Sequence, residues 1–235
     1  MLVKACLNGS RERGEHPALP VTAEELAADA VRVAQAGAGA VHVHPRDGAG
    51  TQTLEPGPCG EAVAAIRASA PGLPVGLTTA AWIAPHPRRL AMIERWDPAP
   101  DFASVNVSEE GTRPLVELLA ARGIGIEAGV TGVDDARTLA GLERAARLLR
   151  VLVELDEEED GQRAADEAMD VEAELRGLGI EAPRLHHAGG IATWKVIAAA
   201  VASEACTRTG EMMLGRMCFH MIRPSPAPSA LAAST

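Results

Sequence analysis

Short runs rich in Val, Ile and Leu alternate with Ala- and Leu-rich stretches of helical periodicity along most of this chain. That alternation constrains the fold more than any other feature. Strands are predicted at Val3–Leu7, Ala40–Pro45, Pro74–Thr79, Phe102–Val107, Gly125–Val130, Leu149–Leu155, Arg184–Ala188 and Ala205–Arg208. Helices are predicted at Thr22–Ala36, Gly60–Ser69, Arg88–Trp96, Arg113–Arg122, Asp134–Leu149, Gln162–Leu178 and Thr193–Ser203. The first opens on Thr22-Ala-Glu-Glu25, a capping-box pattern. A strand that follows a helix and runs parallel to its predecessor is a βαβ unit, and these units build parallel sheets. Eight strands about 30 residues apart predict an α/β fold, a (β/α)8 TIM barrel. The last βα unit is expected to be incomplete or irregular. A doubly wound open sheet competes, but it usually carries Gly-x-Gly-x-x-Gly after the first strand. Here that turn reads Leu7-Asn8-Gly9-Ser10-Arg11.

Composition narrows the function. Hydrophobic residues make up 47% of the 235, yet only 2% are aromatic: three Trp, two Phe and no Tyr. One domain over residues 1–235 is expected, filled by aliphatic side chains, with 212–235 atypical and disordered. The formal net charge of −10 argues against nucleic acid, because an acidic chain repels phosphate and almost no rings are present to stack on bases. No apolar run reaches about 18 residues, so no membrane span is expected. Cys6, Cys59, Cys206 and Cys218 form no Cys-x-x-Cys. They read as buried or half-buried free thiols in a reducing compartment, and a cytoplasmic location is expected.

The sharpest chemical signal is Val41-His42-Val43-His44-Pro45-Arg46-Asp47. Alternate strand residues share a face, so His42 and His44 point one way and the valines the other. In a barrel the imidazoles face the lumen. Pro45 ends the strand, which places them at its C-terminal end, where barrel active sites lie. Two neutral imidazoles make a divalent-metal half-site; the alternative is a hydrogen-bonded pair of core histidines. Other polar residues gather at strand ends: Asn8, Thr78, Thr79, Asn106, Ser108, Glu109, Glu127, Glu154, His186, His187 and Arg208. The acidic run Glu154–Asp160 reads as a solvated loop. No Gly-x-Ser-x-Gly elbow supports a nucleophilic hydrolase.

The chain resembles the β-keto acid cleavage enzymes, the family that includes 3-keto-5-aminohexanoate cleavage enzyme. The resemblance rests on Lys4-Ala-Cys-Leu-Asn-Gly-Ser10, Glu15–Thr22, His42-Val-His-Pro-Arg-Asp47, Val75–Trp82, Asp101–Asn106 with Glu109, and Cys206-Thr-Arg-Thr-Gly210. It implies a zinc-dependent barrel that exchanges acyl groups between a β-keto acid and acetyl-CoA, giving acetoacetate and a new acyl-CoA. By the same resemblance, His42 and His44 ligate Zn²⁺. Thr79 and Thr78 bind the substrate carboxylate, and Asn8 and Asn106 lie beside the substrate. Glu109 recognises the substrate side chain as a catalytic-site residue, and His187 stands at the barrel mouth. Arg11, Arg88 or Arg89 are candidates for the CoA phosphates, against the plainer reading of surface arginines. A homo-oligomer, dimer or tetramer, is also implied.

The chain departs from the family at its end. The family pattern is Arg-x-Gly-Leu-Glu-Asp, where Glu is the third zinc ligand and Asp pairs with the catalytic Arg. Here the run is Arg208-Thr-Gly-Glu-Met-Met213. Arg208 matches. Glu211 becomes the third ligand only if one residue is deleted, and no alignment restores the Asp. Impaired activity is therefore expected. Two alternatives stay open: a metal-dependent aldolase or lyase acting on a keto acid without CoA, and a degenerate barrel that binds metal without turnover.

Overall fold

A computed structural model describes residues 2–142, 147–155, 160–202 and 213–217. The described strands are β1 (Leu2–Cys6), β2 (Ala40–Val43), β3 (Val75–Thr78), β4 (Phe102–Asn106), β5 (Gly125–Val130), β6 (Leu148–Leu155), β7 (Arg184–Ala188) and β8 (Met213–Met217). The helices are α1 (Ala23–Gln35), α2 (Pro56–Ser69), α3 (Arg88–Ile93), α4 (Thr112–Ala121), α5 (Val133–Leu142), α6 (Gly161–Gly177) and α7 (Thr193–Ala202). All strand pairs are parallel, in the order β7-β6-β5-β4-β3-β2-β1-β8. β8 also approaches β7, so the sheet curls round as a barrel. The residues after β8, where an eighth helix would lie, are outside those described. No helix among them is long and apolar enough to cross a membrane.

Two boundaries differ from the sequence reading. β6 begins at Leu148, inside the stretch expected to continue the fifth helix to Leu149. A short Leu-Leu-Arg run fits either state, and pairing with β5 and β7 decides it. The strand that completes the sheet is Met213–Met217, within the tail expected to be irregular. It satisfies the otherwise open edge of β1. The expected strand Ala205–Arg208 lies outside the described residues.

Alternation along the strands sorts side chains into two layers. Val41, Val43, Val75, Leu77, Ala103, Val105, Ile126, Ala128, Val151 and Val153 join the large apolar core under the helices. Leu152 and Leu185, with Leu2 packed on them, form a separate apolar cluster. This second cluster comes from the opposite strand faces and plugs the lumen. The capping box starts α1 as expected. Glu25 N–H donates to Thr22 Oγ1 at 3.2 Å, and Thr22 N–H donates to Glu25 Oε2 at 2.9 Å. The Thr22 and Val21 N–H groups hold the Glu25 carboxyl below its usual range.

The lumen also holds a buried ionic network. Glu127 on β5 is fully buried and pairs with Lys4 on β1, which is fully buried too. Arg150 Nε on β6 donates to the other Glu127 oxygen at 2.5 Å. Two cations and one anion leave one positive charge in excess. That charge lies against Phe102, with Arg150 Cζ 4.4 Å and Lys4 Nζ 5.8 Å from the ring centroid. Phe102 occupies the space a side chain at Gly76 would need: a Cβ there would meet the ring at 2.1 Å.

Removing one member of a buried ion group leaves the rest uncompensated. Glu127→Ala strands two cations and is expected to cost about 3–5 kcal/mol in urea denaturation. Lys4→Met leaves a neutral Glu127–Arg150 pair and is expected to cost clearly less. A reversed order would refute this account of the lumen. Cys6 and Cys59 are both buried. Burial pushes the Cys59 thiol up to about 12, so native protein at pH 8 is expected to leave Cys59 unalkylated by iodoacetamide. Mass spectrometry should find the adduct only after denaturation.

Candidate functional site

A cavity of about 440 Å³ opens at the C-terminal ends of the strands. Its wall includes Asn8 and Arg11 after β1, His42 and His44, Thr78, Asn106, and Glu154 and His187 from β6 and β7. The chain therefore delivers its polar strand ends to one place, as the barrel reading requires.

His42 lies on β2 and His44 just past its end. Both are buried, and their ring centroids stand 5.1 Å apart at a T-shaped angle of 75°. Pro45 was expected to end the strand, but regular pairing stops at Val43. Asn8 holds the chain beyond that point. Its Nδ2 donates to the His44 carbonyl at 2.8 Å, and its Oδ1 accepts from the His44 N–H at 2.8 Å. Asn8, expected beside the substrate, thus sets the position of His44. His42 Nδ1 lies 3.1 Å from Ser104 Oγ, and His44 Nδ1 lies 2.7 Å from Gln52 Oε1.

Arg46, from the same motif, is buried, and its guanidinium donates to the carbonyls of Gly9 at 3.0 Å and Arg11 at 2.6 Å. Burial lowers its pKa from the usual arginine value, and Glu12 and Glu15 oppose that shift. The arginine pins the turn after β1, where Gly9 takes φ +57°, and so keeps Arg11 at the cavity.

Several expected residues take other places. Thr78 lines the cavity. The hydroxyl of Thr79 instead donates to the Ser104 carbonyl at 2.6 Å, which leaves Thr78 as the threonine on the cavity wall. Strand alternation puts the two threonines on opposite faces. Glu109 is not on the cavity wall. Its carboxylate accepts from the Ala81 N–H at 3.0 Å, from Asn106 Nδ2 at 2.8 Å and from Arg89. The Arg89 charge neutralises it, and a cationic substrate group would have to displace that arginine. Arg89, a candidate for CoA phosphates, is fully buried and ties Glu109 to the Thr79 carbonyl at 3.1 Å. Arg88 is exposed, pairs with Glu55 at 3.2 Å and lies away from the cavity. His187 faces the cavity, with Nε2 3.9 Å from Glu154 Oε1. His186 turns outward to Glu172 on α6, at 3.2 Å. Arg208 and Glu211 lie outside the described residues.

Other cavity residues were not among those given a role from the sequence. Ser104 shares a strand face with Phe102 and Asn106, so its inward direction was readable from β4 once Asn106 was placed inside. Glu154, expected on the sixth strand although the acidic run it opens reads as a solvated loop, is the penultimate residue of β6. Gly129 opposite it carries no side chain; a Cβ there would meet Asn106 Oδ1 at 3.2 Å and Glu154 Oε2 at 3.6 Å. Trp82 and Trp194 stand at the rim, 61% and 63% exposed, and the Trp82 ring stacks near His44 at 6.5 Å and 28°. Ring stacking is therefore available where composition alone suggested none.

Among the described residues, no group of three or more His, Cys, Asp or Glu is placed to hold a metal ion. Those residues provide the two-imidazole half-site, with the expected third donor, Glu211, outside them. The donor type fits zinc, which accepts neutral imidazole.

Three comparisons bear on this arrangement. The sequence model of the beta-keto acid cleavage enzymes matches residues 1–146, β1 to α5 and slightly beyond. That stretch carries His42, His44, Thr78, Ser104 and Asn106, and it ends before Glu154 and His187. No curated protein matches the chain. Among solved structures, a ternary complex of ObcA with a C4-CoA adduct and oxalate superposes with a TM-score of 0.65 at 18% identity, over 85% of this chain and 56% of that one. A binary complex of ObcA with oxaloacetate gives 0.61 at 16% identity, over 85% and 56%. A Sorangium cellulosum protein of the mandelate racemase/muconate lactonizing enzyme group gives 0.53 at 17% identity, over 92% and 53%. These likenesses establish the barrel fold, and the chain spans just over half the length of each. Because the family model covers well over half of its 235 residues, including the paired histidines at the end of β2, the chain belongs to the β-keto acid cleavage enzyme family.

Proposed function

We propose that this chain is a zinc-dependent enzyme that condenses a β-keto acid with acetyl-CoA to give acetoacetate and a new acyl-CoA. The reading is carried by the juxtaposition of His42 and His44 on the wall of a strand-end cavity, in a chain of this family. In the exchange, the bond between the keto carbon and the carboxymethyl carbon breaks. The acetyl group of acetyl-CoA takes the keto group's place on that carbon, and the released acyl group ends on the CoA sulfur. No electrons are gained or lost.

His42, His44 and Glu211 would hold the zinc. When bound there, it supplies a Lewis acid that polarises the substrate carbonyl. The chain's own residues do the rest. Thr78 and Asn106 offer polar groups to the substrate carboxylate. Arg11 brings positive charge to the mouth for the CoA phosphates. His187 and Glu154, 3.9 Å apart, place an imidazole and a carboxylate together on the cavity wall, where they can serve proton transfer. Trp82 and Trp194 offer flat apolar faces to the adenine ring. ObcA, which binds a CoA adduct in one solved complex and oxaloacetate in another, supports a site for a keto acid and CoA together. The Met212-Met213 departure favours weak turnover, and a barrel that binds metal without turnover is the second reading. A homo-oligomer and a cytoplasmic location complete the proposal.

Purified protein should consume acetyl-CoA with at least one member of a β-keto acid panel. Cleavage of a keto acid without CoA would instead establish an aldolase or lyase, and neither reaction would establish the degenerate barrel. Zinc content should fall sharply in His42→Ala; substoichiometric zinc unchanged by that substitution would exclude the proposed metal site. Replacing Trp82 or Trp194 by Leu should raise KM for acetyl-CoA roughly tenfold, as expected for loss of a stacked base, while kcat changes little. An unchanged KM in both variants would remove the adenine from the rim.

A further inference from the structure

We infer that Ser104 and Gln52 are positioning residues that force both histidines into the same tautomer, with the proton on Nδ1 and the lone pair on Nε2. The inference rests on the proposed metal site for its purpose and on hydrogen-bond direction for its argument.

The argument for His42 starts at Glu127. This carboxylate is fully buried and held between the cations Lys4 and Arg150, so it is ionised and can only accept hydrogen bonds. Ser104 Oγ lies 2.6 Å from Glu127 Oε1. A hydroxyl has one proton, and here it goes to the carboxylate. Toward His42 Nδ1, 3.1 Å away, Ser104 Oγ can then only accept. His42 Nδ1 must therefore carry the proton. The alternative, a serine donating to His42, would require a protonated Glu127 between two cations.

His44 reaches the same state by an independent route. The Gln52 amide nitrogen donates to the Ser10 carbonyl at 3.3 Å, which fixes the amide so that Oε1 faces His44. A carbonyl oxygen only accepts, so His44 Nδ1 carries the proton as well. An Nδ1–H held by an acceptor is the usual arrangement behind a metal-ligating imidazole, because it sets ring orientation and leaves Nε2 as the donor atom. The two supports come from different parts of the fold. Ser104 is on β4 and backed by the ionic network, whereas Gln52 follows β2 on a half-buried loop.

Long-range ¹H–¹⁵N correlation spectra of the full-length, metal-free protein test this. At a pH where the rings are neutral, both His42 and His44 should show a protonated Nδ1 and an unprotonated Nε2. Ser104→Ala should shift His42 toward the other tautomer and leave His44 unchanged. Gln52→Leu, a change on a half-buried loop, should do the reverse. Ser104→Thr, which keeps the hydroxyl, should restore the wild-type His42 pattern. Zn²⁺ titrated against a chromogenic chelator should bind about 10–100-fold more weakly to the Ala variant. A wild-type His42 protonated at Nε2, or a Ser104→Ala protein with unchanged tautomers, would overturn the inference. Failure of the wild-type protein to bind Zn²⁺ would overturn the proposed zinc site, and the spectra would still decide the tautomers.

Discussion

Glu127 sits fully buried between Lys4 and Arg150, and much of the lumen is arranged around that carboxylate. The isolated charge could not remain ionised inside a barrel, since burying an unpaired carboxylate is far more costly than any single contact can offset. Two cations from β1 and β6 solve that problem, and Phe102 accommodates the surplus positive charge on its ring face. The same carboxylate accepts the Ser104 hydroxyl, which links the network to His42. Residues from four strands, β1, β4, β5 and β6, meet at this one anion.

The lumen is stratified as a result. Leu2, Leu152 and Leu185 form an apolar plug, the ions form another group, and imidazole, amide, hydroxyl and carboxylate groups line the open end. Space in this narrow interior is divided between large and absent side chains: Phe102 fills the room left by Gly76, and Gly129 leaves room between Asn106 and Glu154. The cavity end is therefore held from below by charge pairing and from the side by loop contacts. Asn8 and Arg46 make those loop contacts through backbone carbonyls and an N–H group, so they shape the site without offering their own chemistry to a substrate.

The histidine pair was legible because period-two alternation and Pro45 sufficed to place it. The same rule separates Thr78 from Thr79 and His187 from His186, but it does not say which member of each pair faces inward. That depends on pairing register, and one residue of slip reverses every side chain. The surroundings of Glu109 were hidden for a different reason. Its role turns on Arg89, twenty positions earlier in the chain, and no local pattern indicates that this arginine is buried against it. Glu154 was placed on the sixth strand by the sequence, but the acidic run it opens gave no sign that it lies on the cavity wall.

By itself the sequence determined the barrel class, the order of its units, the helix start at Thr22 and the imidazole pair at the end of β2, because all of these follow from local periodicity and capping. Only the tertiary structure decided that Met213–Met217 supplies the strand beside β1, that Lys4 and Arg150 share Glu127, and that Ser104 meets His42. Those contacts join residues many positions apart, and the curvature of the sheet brings them within hydrogen-bond reach.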